Sequence, residues 1–254
     1  MGIESNSNIL LIVEGKRREV DLFKRILVCF PEIQLNTENI IVYNTNIWAL
    51  NNSLINNFGD DWYLEEIDFL GYIKSLNPNL ERKKITDIFL VFDYERQDPN
   101  FNNDVIEYML NFFNNSTDNG QLYINYPMVE AYKHLKKPLP DYDFLNRKCF
   151  CNDLKKYKEI VGNESCFSDL RKIERNDFCE FVIHNLCKAS YIITGSSELS
   201  EKEVRTNWSK LNMFEILEKQ NINSTDNENG FVYILCTCLF FIPNYNSNLI
   251  FKRT

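Results

Sequence analysis

Ile9-Leu10-Leu11-Ile12-Val13-Glu14-Gly15-Lys16 decides the reading of this chain. Five apolar residues, rich in β-branched side chains, end abruptly in a carboxylate, a glycine and a basic run. The stretch is too short to span a bilayer, and its β-branched residues disfavour a helix, so it reads as a buried strand. Arg17 to Phe30 then carries apolar residues at helical spacing, Val20, Phe23, Ile26 and Leu27. A strand feeding a helix puts Glu14 at the strand's carboxyl end, where open α/β sheets bind their ligands. Gly15 permits a tight turn and close backbone approach. The layout recurs where Ile85 to Phe92 leads into Asp93-Tyr94-Glu95. If the two strands are neighbours, three carboxylates converge on one sheet edge.

Working outward, Asn39 to Asn44 reads as a strand, Ile47 to Phe58 and Tyr63 to Leu76 as helices, Asn102 to Asn114 as a helix and Leu122 to Asn125 as a strand. Strands alternating with helices imply βαβ units and a mostly parallel sheet. Beyond Pro138-Leu139-Pro140-Asp141 the pattern changes: Arg171 to Ile193, Glu201 to Lys219 and Gly230 to Phe241 all read as helical. The expected architecture is therefore α/β, a mostly parallel sheet flanked by helices over residues 1–138, followed by a mainly helical C-terminal region over 139–254. Asparagine-rich segments such as Asn114 to Gly120 read as turns.

At 254 residues with 44% hydrophobic composition, the chain can bury an enzyme-sized core. No apolar run approaches the length of a membrane span. The start, Met1-Gly2-Ile3-Glu4-Ser5, lacks the basic-then-apolar pattern of a secretory signal, and its serine is one position early for myristoylation. A cytoplasmic protein with reduced thiols is expected from this, despite eight cysteines. Cys149-x-Cys151 and Cys236-x-Cys238 are too tightly spaced for a zinc knuckle. They read as small buried hydrophobes, and His184 as part of a helical core.

A strand ending Val13-Glu14-Gly15 and a later strand ending Phe92-Asp93-Tyr94-Glu95 together resemble the Toprim family of topoisomerases, primases, small ribonucleases and overcoming-lysogenization-defect nucleases. The likeness covers roughly the first half of the chain. It implies a Toprim-like fold, with Glu14 as general acid or base and with Glu14, Asp93 and Glu95 as ligands of Mg²⁺ or Mn²⁺. Glu95 stands where a second aspartate is usual, and no glycine follows soon after it. A third segment, Asn125-Tyr126-Pro127-Met128-Val129-Glu130, is similar to the one closing the core of RloB-type and related phage-defence nucleases, which places Glu130 among the catalytic carboxylates. Read from the residues alone, Pro127 opens a helix and Glu130 complements its positive end; both readings of Glu130 stand.

The net charge of −8 does not exclude a nucleic-acid partner, because local basic patches decide binding. Lys16, Arg17 and Arg18 follow Glu14 and Gly15, and Lys133 and His134 follow Glu130, so Gly15, Lys16, Arg17, Lys133 and His134 are the expected substrate contacts. Lys155 to Lys158 reads instead as a solvated face, and His134, which could also assist a leaving group, reads from the residues alone as hydrogen-bonded in the helix. The resemblance implies a Mg²⁺-dependent endonuclease acting on RNA, tRNA included, or on DNA, as the toxic effector of a bacterial anti-phage system. Two alternatives remain: a catalytically silent Toprim-like module that binds an ATPase, and an α/β phosphotransfer or receiver-like Mg²⁺ protein. The chain lacks a Gly-x-x-x-x-Gly-Lys loop, so any ATPase is a separate partner. A homodimer is compatible with all three readings; a membrane partner is not expected.

Overall fold

The spine of the molecule is a mostly parallel sheet flanked by helices, seen in a computed structural model that describes residues 8–80, 84–196, 208–225 and 229–251. Strand β1 (Ile9–Val13) is buried at every position. It pairs in parallel with β2 (Ile40–Val42) on one side and β3 (Asp87–Asp93) on the other. Strand β4 (Asn114–Asn115) and β5 (Gly120–Tyr126) form an antiparallel hairpin, and the order across the sheet is β2-β1-β3-β5-β4. A run such as Phe89-Leu90-Val91-Phe92, apolar at consecutive positions, suits a strand covered on both faces.

Contacts divide the chain into two compact units. The first holds residues 1–27, 31–92 and 102–123. Its helices are α1 (Arg18–Cys29, all but its last residues), α2 (Ile47–Phe58), α3 (Phe69–Leu76) and α4 (Asn103–Phe112). Three of these are started by side chains that accept a hydrogen bond from the first turn, Asn46 for α2, Asp68 for α3 and Asn102 for α4, each satisfying an otherwise orphaned backbone donor. Asp68 is why the expected helix from Tyr63 begins only at Phe69; Trp62–Leu64 is a separate 3-10 turn. Helix α1 buries Glu19, Leu22, Phe23 and Ile26. That face is rotated from the expected one, so Val20 and Leu27 are half-buried and an acid lies inside. Trp62 packs edge-on against Tyr108 and Phe112, while its indole N–H and the Tyr108 hydroxyl both donate to Asn51 Oδ1 at 3.1 and 2.8 Å.

Gly120 starts β5 at φ +127°, a region open essentially to glycine alone. A Cβ there would meet Leu90 Cδ1 at 2.7 Å and Ile88 Cγ2 at 3.2 Å. Gly120→Ala is expected to destabilise the protein by about 2 kcal/mol or more, combining backbone strain with overpacking. A urea midpoint equal to that of the wild type would show that the hairpin can shift without cost.

The second unit holds residues 28–30, 93–101 and 124–254. It contains α5 (Tyr157–Glu164), the long α6 (Arg175–Thr194) and α7 (Met213–Ser224). Three strands depart from the helical expectation: β6 (Lys148–Phe150), β7 (Phe231–Tyr233) and β8 (Leu235–Cys236). β6 and β7 pair antiparallel, and β8 pairs antiparallel with the end of β5, Asn125 opposite Cys236. Gly230 to Phe241 is thus strands and a 3-10 turn; a helix, α8 (Phe241–Asn246), begins only at its end. The segment is apolar nearly throughout, so periodicity could not tell a buried strand from a buried helix. Gln220 completes the edge of β7 by donating to Tyr233 O and accepting from Tyr233 N, both at 2.9 Å. Asn212 caps α7 by accepting from Phe214 N, which fixes its start beyond the expected one. Residues 201–207 of that expected helix lie outside the described residues. All eight cysteines are free thiols.

Candidate functional site

The register of the parallel strands delivers the acids. Val13 lies opposite Val42 on one side and Val91 on the other. One residue on, Glu14 N donates to Val91 O at 3.2 Å and Glu14 O accepts from Asn44 N at 3.0 Å. The backbone of Glu14 is therefore pinned by both neighbouring strands before its side chain leaves the sheet. Asp93 is the last residue of the uninterrupted β3, two beyond Val91. One carboxylate oxygen each from Glu14, Asp93 and Glu95 all lie within 4.8 Å of one another. Like charges at that separation repel by roughly 3 to 4 kcal/mol per pair at an effective dielectric near 20, so the cluster favours a cation or a shared proton.

Glu95 reaches the cluster by a route that strand geometry does not supply. Residues i and i+2 share a face only while a strand continues, and β3 stops at Asp93. Glu95 instead adopts φ +45°, and its carbonyl accepts from Asp98 N at 2.8 Å to close a turn. Asn44 (φ +70°) is the other described non-glycine residue with positive φ, and it follows β2. Residues held in this way cluster at functional sites. Burial pushes the Glu95 carboxyl up, the nearby Asp98 pushes it further, and Lys158 opposes both. The left-handed backbone costs about 1 kcal/mol for a residue with a Cβ. Glu95→Gly is therefore expected to be about 1 kcal/mol more stable than Glu95→Ala, although both lack the carboxylate. Equal denaturation midpoints for the two variants would remove strain from the account.

Asp93 is buried and firmly held. Its Oδ1 accepts from Val129 N at 2.8 Å and lies 3.5 Å from Asn125 Nδ2. Asn125, fully buried, is oriented in turn by Cys238 N (3.2 Å) and the Cys236 thiol (3.4 Å), which both donate to its Oδ1. Tyr94 turns into the interior between the two acids of its segment; burial pushes its hydroxyl up to about 12, and it donates to Asn221 Oδ1 at 2.6 Å.

The remaining expected residues lie outside the cluster of three acids. Gly15 is half-buried over Glu19, whose Oε2 would lie 2.5 Å from a Cβ at that position. Lys16 and Arg17 are exposed beside Glu14. Pro127 does not open a helix: it precedes an extended Met128, and the segment becomes a 3-10 turn, Val129–Lys133. Glu130, 3% exposed, sits inside that turn and is not one of the three clustered acids. What its segment does supply is the Val129 amide on Asp93. Lys133 is half-buried and its carbonyl accepts from Ser165 Oγ at 2.5 Å. His134 is buried, with Nδ1 3.1 Å from the Tyr157 hydroxyl and Nε2 3.2 Å from Glu164 Oε2. Burial lowers its pKa against the pull of Glu164. Both ring nitrogens are thus engaged within the protein. Lys158, read from sequence as solvated surface, is exposed, and its charge opposes the upward shift of Glu95.

The donor set is three carboxylates with no sulfur or imidazole, which suits hard divalent cations such as Mg²⁺ or Mn²⁺. The buried Asp93, fixed by a backbone amide, would be the rigid ligand of such a site. No family model, curated protein or solved structure matches the chain. No helix among the described residues is long and apolar enough to cross a membrane.

Proposed function

We propose that the chain is a metal-dependent endonuclease of Toprim type that cleaves phosphodiester bonds in RNA or DNA. The observation that supports this reading is the convergence of Glu14 and Asp93, from the ends of paired strands, with Glu95 from the turn that follows β3. Glu14, Asp93 and Glu95 would hold Mg²⁺ or Mn²⁺, which supplies charge neutralisation on the phosphate and the leaving oxygen. Asp93, held by Val129 N and Asn125, anchors the arrangement. Glu14, half-buried on a backbone fixed from both sides, would serve as a ligand of that ion or as the base that takes a proton from an attacking water. Lys16 and Arg17, exposed immediately after it, would hold flanking phosphates.

The test is direct. Purified protein is incubated with single-stranded and structured RNA and with DNA, in Mg²⁺, Mn²⁺ or chelator. Cleavage that needs the cation and falls with rising salt is expected. Cleavage that survives chelator would remove the metal from the mechanism, and no cleavage with any substrate would put the ATPase-binding module ahead.

A further inference from the structure

Beside the strand that ends in Glu14, the first unit contains a cavity of about 450 Å³, between the carboxyl end of β2 and helices α2 and α3. Its lining includes Tyr43, Thr45, Ser53, Tyr72, Leu76 and Asn77, and none of its nine lining residues is charged. A phosphate or a cation would find no counter-charge there, so the fitting ligand is neutral. The walls mix aliphatic and aromatic surface with hydroxyl and amide groups, and Leu76 stands 51% exposed at the rim. The polar groups form a chain: Ser53 Oγ is 2.5 Å from the Tyr72 hydroxyl, which is 3.3 Å from the Tyr43 hydroxyl. Each of these hydroxyls can donate or accept. Asn77 spends one amide N–H on Ile73 O at 3.0 Å, which leaves its other N–H and its carbonyl oxygen to offer a ligand. Aromatic rings such as Tyr43 and Tyr72 beside switchable hydrogen-bonding groups are how proteins hold an unstacked base. A lipid tail would leave those polar groups without use.

The position of the cavity matters as much as its lining. Tyr43 N donates to Val13 O at 2.8 Å and Asn44 N to Glu14 O at 3.0 Å. The cavity wall is thus the strand directly beside the one ending in the candidate catalytic acid, about 4.8 Å away across a ladder. We propose that this cavity receives one unpaired nucleobase of the nucleic-acid strand whose backbone passes Glu14. The proposal rests on the nuclease reading for its substrate and deepens it: cleavage would favour single-stranded or extruded nucleotides, with base preference set by the hydroxyls of Ser53, Tyr72 and Tyr43.

The experiment separates the two claims. Binding of the four nucleoside 5′-monophosphates and of ribose 5-phosphate is measured by calorimetry on the full chain in chelator, where no cleavage occurs. At least one mononucleotide is expected to bind tenfold or more tightly than the base-free sugar phosphate. Ala49→Phe, which fills the cavity from α2, is expected to remove that difference. Leu76→Ala, at the exposed rim, is expected to weaken it severalfold with an unchanged melting temperature, and so guards against a misfolded Ala49→Phe. Mononucleotides binding no better than ribose 5-phosphate, or with equal affinity to wild type and both variants, would overturn the proposal even if the enzyme cleaves. Base-dependent binding lost in the variants, in a protein that cleaves nothing, would keep the cavity as a nucleobase site and reject the nuclease.

Discussion

Asp93→Asn and Glu14→Gln are each expected to lower cation-dependent cleavage by about a thousandfold or more, and the double variant to lose no more than the worse single one. Groups that act as one unit give such non-additive losses. Both substitutions keep side-chain shape. Asparagine at 93 can still accept from Val129 N through Oδ1, so a lost activity reports lost charge rather than a lost fold. Each variant also removes one like charge from a cluster whose oxygens lie within 4.8 Å. In chelator the melting temperature is therefore expected to rise by a few degrees, at roughly 2 to 4 °C per kcal/mol for a chain of this size. Excess Mg²⁺ should reverse the order, because only the wild type gains from binding. Full cleavage by either single variant would remove the acids from the chemistry. Losses that multiply in the double variant would give them separate roles.

Glu14 and Asp93 were legible in the sequence because each ends a run of consecutive apolar residues, and a charge after such a run must leave the sheet at its edge. Parallel pairing in register then brings the two ends together. Glu95 was legible only as a residue type. Its arrival depends on a left-handed backbone that a glutamate does not advertise. Asn125 and Val129 were invisible as the groups that hold Asp93, since one acts through a buried side-chain amide and the other through a main-chain N–H that every residue but proline possesses. Glu130 drew attention through the resemblance of its segment, and His134 as an ionisable residue in the basic run that follows it. Burial decides their surroundings, and periodicity is silent on burial in a five-residue 3-10 turn. The same silence turned Phe231 to Cys236 into a helix on paper. Its strand character comes from partners far away in sequence, Lys148 to Phe150 and Asn125 to Tyr126.

Asp141→Ala should be among the most destabilising single changes in the second unit, at about 3 to 5 kcal/mol, because it strands a buried charge. Asp141 is 7% exposed, and the Arg147 side chain is 10% exposed. Asp141 Oδ2 accepts from Arg147 Nη1 at 2.7 Å and from Lys136 N at 2.8 Å, while its own N–H donates to His184 Nε2 at 2.7 Å. Arg147 Nη1 also donates to His134 O, so the pair ties four segments of the unit together. Burial alone would push the Asp141 carboxyl up; the Arg147 guanidinium and the Lys136 amide outweigh it and hold it below the ordinary 3.8. A carboxyl depressed on folding stabilises above its unfolded pKa, and that stabilisation is lost as pH falls through the folded value. The stability gap between wild type and Asp141→Asn should therefore be full at pH 7. It should begin to shrink as pH falls through the ordinary aspartate range near 3.8 and close only below the depressed value. Urea titrations at stepped pH read this gap directly. A gap that stays constant down to pH 3 would assign the loss to packing and hydrogen-bond geometry, and would leave the charge of Asp141 without a part in holding the unit together.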